Sequence, residues 1–175
     1  MTSIYIVNQA SDAVEEKMRK NLSLRSAEEN DLPQIVALFM EDELGAMRES
    51  LSDPLLPSYH KVFQAITADK NQALLVVDYN RELIGICHLT FMPSLSFKGS
   101  WRLNLENIHI AKSFQNQGIG TWMLQKAIAL GKEKGCRFIQ LTTNKKRFRA
   151  KAFYEKLGFI ATHEGMKLCL DEDII

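Results

Sequence analysis

Only three cysteines occur along the chain, Cys87, Cys136 and Cys169, far apart and odd in number. That pattern argues against a disulfide framework and fits a reducing compartment. None stands in a C-x-x-C pair and the four histidines are scattered, so no structural zinc site, and no metal of any kind, is expected. Excess charge is also lacking. The formal net charge is +1, which removes any bulk electrostatic case for a nucleic-acid partner or an acidic membrane surface. No apolar run reaches the length of a membrane span. The first twenty residues hold a short apolar patch without a preceding basic region or a small-residue cleavage site, so a secretory signal is not expected. A cytoplasmic protein is the default. There is no internal repeat, no low-complexity tract and no long Gly/Ser/Pro linker.

What is present suits one globular domain: 46% hydrophobic and 25% charged residues. Residues 1–21 read as an extension, with a charged stretch at 11–20 able to form a helix or an interface arm, and residues 22–175 as the domain. A homodimer stays open. Residues 22–25 alternate as a short strand. The spacing of Leu32, Ile35, Val36, Leu38 and Phe39 predicts a helix, with Pro33 well placed in its first turn. Residues 41–53 are acidic and irregular. Val62, Phe63 and Ile66 define one face of a second helix over 59–68.

Residues 73–78 and 83–90 form two strands joined by a turn at Tyr79, Asn80 and Arg81, the first buried on both faces. A strand follows at 101–110 and a helix at 118–129, ended by Gly131 and Gly135. The last elements are a strand at 138–143, a helix at 149–157 stopped by Gly158, and a final strand at 167–170. Hairpins first and crossovers later imply a mixed, mostly antiparallel sheet covered by helices, an α/β architecture in the loose sense.

Two segments carry chemistry. The first runs from Leu105 to Leu124. A strand ends near Ile110, a polar loop follows, and Gly118 and Gly120 open a helix. Glycines at a helix start let the backbone approach a ligand and leave N–H groups unpaired. With the positive end of the helix dipole, those groups make a phosphate or pyrophosphate site. A Walker A loop is absent, and the third glycine of a dinucleotide fingerprint is replaced by Met123. The plain alternative is a loop that needs glycines only to turn. The second segment runs from Thr143 to Phe159. It gives a short amphipathic helix, with Asn144 at the strand end offering amide bonds and a basic cluster at Lys145, Lys146, Arg147, Arg149 and Lys151. A solvated charged face is the plain reading of most of that cluster, and core packing that of Leu157 and Phe159.

The first segment resembles the acetyl-CoA signature Q/R-x-x-G-x-G/A of GCN5-related N-acetyltransferases (GNAT), matched at Gln115, Gly118 and Gly120. The second resembles that family's N-x-x-R-x-x-A-x-x-F-Y-x-x-x-G-F, matched at Asn144, Arg147, Ala150, Phe153, Tyr154, Gly158 and Phe159. The likeness spans roughly residues 22–170, and the two motifs stand in the family's order. It implies a sheet with splayed strands and acetyl-CoA as cosubstrate. The backbone amides of Gln115, Asn116, Gln117, Gly118, Ile119, Gly120 and Thr121 would hold the CoA pyrophosphate. Ile108 and Ile110 would give main-chain contacts to the pantetheine arm. Asn144, Arg147, Ala150 and Phe153 would complete the cofactor site.

Acetyl transfer to an amine needs proton removal from the nucleophile, stabilisation of the thioester oxygen and protonation of the leaving thiolate. By resemblance, Tyr154 stands where the family places a tyrosine near the CoA sulfur, and the backbone N–H of Ile108 would serve the oxyanion. Strand alternation places Glu106, Ile108 and Ile110 on one face, with Asn107 and His109 on the other. Glu106 is the expected base or amine-positioning group. Spermidine/spermine acetyltransferases resemble this stretch and carry a glutamate at the same offset. His109 ranks below it, unless a bulge alters the alternation. The expected acceptor is a small primary amine, and the acidic residues at 41–53 lean towards a cationic one. Alternatives are a protein lysine or N-terminus as acceptor, a longer acyl-CoA as donor, or a non-catalytic CoA-binding regulatory domain.

Overall fold

A computed structural model describes residues 16–170 of the chain. The first half of the charged stretch at 11–20 lies outside those residues, and its second half holds the single helical turn α1 (Glu16–Arg19). The strand-forming runs are the ones rich in Val, Ile and Leu, and they pair in chain order. β1 (Leu22–Ser26), β2 (Gln72–Tyr79), β3 (Glu82–Ser94), β4 (Ser100–Ile110) and β5 (Cys136–Leu141) form one sheet in the order β1-β2-β3-β4-β5. Each of the first four is antiparallel to the next, and β4 and β5 run parallel. The sheet is therefore mixed and mostly antiparallel, as expected.

Between β1 and β2 lie α2 (Leu32–Met40), the short α3 (Glu43–Ala46) and α4 (Pro57–Ala68). Leu32, Ile35, Val36 and Leu38 of α2 are buried, and Pro33 sits in its first turn where no N–H is lost. β2 has an unbroken buried run from Leu74 to Asp78, the signature of a strand covered on both faces. The β2–β3 turn uses Asn80 at φ 52° and Arg81 at φ 72°, the left-handed pair that suits a two-residue hairpin. β3 runs four residues further than expected. It carries Pro93 near the hairpin end and leads into the one-turn element α5 (Ser96–Gly99), which holds Phe97 and Lys98 at positive φ. α6 (Ile119–Glu133) makes the parallel crossover between β4 and β5, and α7 (Phe148–Lys156) follows β5.

The core is the middle of the sheet with α2 and α6. Val76, Val77, Ile84, Ile86, Leu89, Leu103 and Leu124 are fully buried. Beside β1, Arg25 bridges two carboxylates: its Nε donates to Asp78 at 2.7 Å and its Nη1 to Asp31 at 2.6 Å.

Two expectations fail. Gly131 does not end α6 but lies within it, where an added Cβ would come 3.0 Å from Leu103 Cδ2 and 3.3 Å from Ile139 Cδ1. The glycine allows the helix to lie close on β4 and β5, and Gly135 at φ 78° makes the exit. The final strand at 167–170 does not form. Alternation is present there, yet Met166, Leu168 and Leu170 are 96%, 87% and 90% exposed. A strand is made by its pairing, and no ladder in the described residues includes this segment.

Candidate active site

The cleft follows from the unequal lengths of β4 and β5. Their pairing runs from Trp101↔Cys136 to Leu105↔Leu141, where β5 ends. β4 continues for five more residues to Ile110, bonded only to β3. Its backbone groups on the β5 side are therefore open along that stretch. The sheet is splayed at this point, as the sequence reading anticipated.

A bulge shapes the open stretch. Ile86 pairs with His109 and His88 with Glu106, so the single residue Cys87 faces both Asn107 and Ile108. Asn107 takes φ 50°, a left-handed conformation that asparagine tolerates better than most residues. The alternation expected for 106–110 is thereby broken. Glu106, Asn107, Ile108 and His109 all line one cavity of about 150 Å³. Phe39, Asp42 and Arg48 from the α2–α3 region close one wall, and Thr142, Thr143, Arg147 and Tyr154 close the other.

Electrostatics sort these groups. Burial pushes the Tyr154 phenol up to about 12, with the neighbouring Cys87 adding to the shift and Arg147 opposing it. Tyr154 is thus a protonated donor at neutral pH. Its ring lies between Phe153 and Phe159, at centroid distances of 5.3 and 5.9 Å. His109 is shifted the other way. Burial holds its imidazole below the ordinary value, against the pull of Glu41 and Asp42. Its Nε2 is buried, lies 3.7 Å from Glu41 Oε2, and has no hydrogen-bond partner. That separation is an ion-pair distance, too long for a hydrogen bond.

The acidic residues of the 41–53 stretch are largely engaged. Glu41 Oε2 accepts the backbone N–H of Lys112 at 2.7 Å. Asp42 accepts from the N–H of Gly45 at the start of α3 and pairs with Arg147 Nη2. Glu49 accepts from the Tyr59 hydroxyl at 2.9 Å. Asp42 and Arg147 therefore form one neutral wall element, and Arg147 Nε remains buried without a partner.

At the other end of the open strand, the loop at 115–121 turns into α6. Asn116 at φ 61° and Gly118 at φ 80° bring the chain round, and Gly118 begins the helix without any side-chain cap. The first N–H groups of α6 consequently point out of the helix with no intrahelical acceptor. The glutamine side chains work as struts: Gln115 Nε2 donates to the Ile110 carbonyl at 2.8 Å, and Gln117 Nε2 donates to that of Ser113 at 2.9 Å. Gly120 lets the helix start close to α7, since an added Cβ would lie 3.4 Å from Phe153 Cζ and 3.7 Å from Ile110 Cγ1. Buried Ile119 anchors the same turn in the core.

Of the remaining expected residues, Ala150 and Phe153 are half-buried on α7. Asn144 is exposed and its Oδ1 accepts the Lys146 N–H at 2.9 Å, so the side chain closes a turn. Lys145, Lys146, Arg149 and Lys151 are exposed. The sequence reading did not anticipate the Glu41–Lys112 and Asp42–Arg147 contacts, which join residues far apart in the chain. Asn107 was the one local sign of the bulge. Among the described residues no cluster of three or more His, Cys, Asp or Glu could hold a metal ion, and no helix is long and apolar enough to cross a membrane.

The pattern of the acetyltransferase (GNAT) family matches residues 33–159. A glucosamine 6-phosphate N-acetyltransferase from Trypanosoma brucei brucei is 26% identical over 156 residues, covering 86% of this chain and 97% of that protein. Among solved structures, a transcriptional regulator from Bacillus halodurans C-125 has a TM-score of 0.83 at 42% identity, covering 85% of this chain and 99% of its own. A Trypanosoma brucei acetyltransferase has a TM-score of 0.67 at 24% identity, covering 85% of this chain and 99% of its own, a likeness of fold.

Proposed function

Because the chain belongs to the GNAT family of acetyltransferases, we propose that it moves the acetyl group of acetyl-CoA to the primary amine of a small molecule. The observation that carries this reading is the continuous path from the uncapped start of α6, along the open edge of β4, to a cavity holding both Tyr154 and Glu106.

In this reading the backbone N–H groups at 115–121 hold the pyrophosphate. The backbone groups of Ile108 and the N–H of Ile110, whose carbonyl is already taken by Gln115, hold the pantetheine arm as an added strand would be held. Phe153 and Ala150 wall the arm, and Arg147 keeps its side chain at the cavity through Asp42. Asn144 is retained only as a turn-former at the mouth of the site. Acetyl-CoA supplies the activated thioester. The Ile108 N–H donates to the oxygen that gains charge. Tyr154, a neutral phenol whose protonated form burial reinforces, gives its proton to the departing sulfur. Glu106 holds the amine, as base or as positioning group. The order is direct attack within a ternary complex.

The relative that acts on glucosamine 6-phosphate supports a small-molecule acceptor. A strongly cationic acceptor has less support than the acidic stretch suggested, because Glu41, Asp42 and Glu49 already have partners. The relative described as a transcriptional regulator favours a second reading, a CoA-binding regulatory domain. Tyr154 and Glu106 together in the cavity weigh against loss of chemistry. The deciding experiment follows free thiol release from acetyl-CoA with a panel of primary amines that includes glucosamine 6-phosphate. Turnover with any of them supports the enzyme; tight CoA binding without turnover supports the regulatory reading.

A further inference from the structure

We propose that His109, with its ring oriented by Glu41, takes the proton from the acceptor's ammonium group, while Glu106 binds that group without deprotonating it. The inference rests on the acetyl-transfer reading above and assigns its base.

The bulge at Asn107 is the first ground. Without it, a strict strand would turn His109 away from Glu106; with it, the two side chains share one cavity with Tyr154. The second ground is the difference in charge. A carboxylate beside an ammonium stabilises the protonated amine, and so opposes the step a base must perform. A neutral imidazole carries no such penalty and has its proton affinity near working pH. Burial keeps His109 in that neutral form, lowered from the ordinary 6.5. The charged groups that shift it are Glu41 and Asp42 from the end of α2 and the start of α3, and Arg147 from the segment before α7, while Glu106 of β4 and Arg48 and Glu49 beyond α3 line the same cavity.

The third ground is the tautomer. The negative charge of Glu41, whose Oε2 lies 3.7 Å from Nε2 without a hydrogen bond, favours the tautomer with its proton on that nitrogen. The lone pair is then on Nδ1, the acceptor for the ammonium proton. Glu41 is itself fixed by the Lys112 N–H, which makes it a positioning residue. The step balances. One N–H bond of the ammonium breaks and an Nδ1–H bond forms. The freed amine pair attacks the thioester carbon, the adduct nitrogen releases its second proton to solvent, the C–S bond breaks, and the sulfur takes the Tyr154 proton. The imidazolium then returns a proton to the tyrosinate through solvent.

The test compares wild type with His109→Gln, Glu106→Gln and Glu41→Gln, using the panel amine that turns over fastest and following kcat/KM for amine against pH. In wild type, activity should fall as pH drops through a midpoint below 6.5. His109→Gln should lose roughly a hundredfold at neutral pH and lose that acid limb, with KM for acetyl-CoA unchanged. It should regain activity towards about pH 9, where more of the amine is already free. Glu106→Gln should raise KM for amine and keep the limb, and Glu41→Gln should shift the limb. Nitrogen-15 NMR of the wild-type imidazole should titrate at the kinetic midpoint, a readout that needs no variant to fold. A limb that survives in His109→Gln, or an imidazole that titrates elsewhere, overturns the assignment. Acetyl transfer to no amine at all overturns the parent reading and this one with it; active wild type with an unchanged His109→Gln profile overturns only this one.

Discussion

Glu41 and Lys112, 71 residues apart, are joined by a 2.7 Å hydrogen bond from the Lys112 backbone N–H to the Glu41 carboxylate. The contact ties the end of α2 to the residue just beyond β4, where the loop leading to α6 begins. Glu41→Ala should destabilise the fold by about 0.5–1 kcal/mol and weaken CoA binding, because the hydrogen bond joining α2 to the loop entrance is lost. Glu41→Gln retains an acceptor oxygen and should keep most of that stability. Urea unfolding and calorimetric CoA titration of both variants check this; equal losses in the two would refute a role for the acceptor oxygen.

Tyr154→Phe should lower kcat by tenfold to about a hundredfold and leave CoA affinity unchanged, since in the proposed mechanism the hydroxyl acts on the departing sulfur. With the phenol pushed up to about 12, Tyr154 itself should add no alkaline limb to the rate near neutral pH. Single-turnover kinetics beside equilibrium CoA binding separate the two quantities. Unchanged turnover would reduce Tyr154 to a packing partner of Phe153 and Phe159.

The two loop glycines should fail for different reasons. Gly118 sits at φ 80°, so Gly118→Ala should cost about 1 kcal/mol in backbone strain and disturb the N–H groups proposed to hold the pyrophosphate. Gly120 is tight against Phe153 instead. Gly120→Ala should be tolerated, whereas the extra methyl groups of Gly120→Val should displace Phe153 and weaken CoA binding. Full CoA affinity in a folded Gly120→Val would contradict the site.

The Arg25 bridge predicts an acid-sensitive fold. Hydrogen bonding to Arg25 holds the Asp31 carboxyl below its ordinary 3.8. Its contribution is therefore fully present above that value and is lost as pH falls through the lower folded value. Arg25→Met should destabilise by about 2 kcal/mol at neutral pH, leaving Asp31 and Asp78 without their shared cation. Urea midpoints from neutral to acid pH should show the difference from wild type shrinking below about pH 4. A difference that stays constant with pH would contradict the account.

Strand and helix positions were legible because apolar periodicity is a local property. Val76 and Val77, Ile35 and Val36, and the glycines at 118 and 158 all stand where their spacing placed them. What escaped depends on partners. Residues 167–170 alternate as a strand should, yet nothing in a sequence says which edge will receive them. Gly131 looked like a helix end, but it is small because β4 and β5 lie against it. The bulge at Asn107 required knowing that Cys87 faces two residues across the ladder. Asp42 looked like an open carboxylate until α7's approach set Arg147 against it. The two segments proposed to form the site stood out in the sequence as motifs, while the charge pairing around them did not.

The central claim is that this chain binds CoA at the start of α6 and passes the acetyl group to an amine. Thiol release from acetyl-CoA, measured with a primary-amine panel for wild type and Gly120→Val side by side, tests it most directly. The account predicts amine-dependent thiol release by the wild type and a sharply raised KM for acetyl-CoA in the variant. No amine-dependent release from wild type, or identical kinetics in the two proteins, would contradict it.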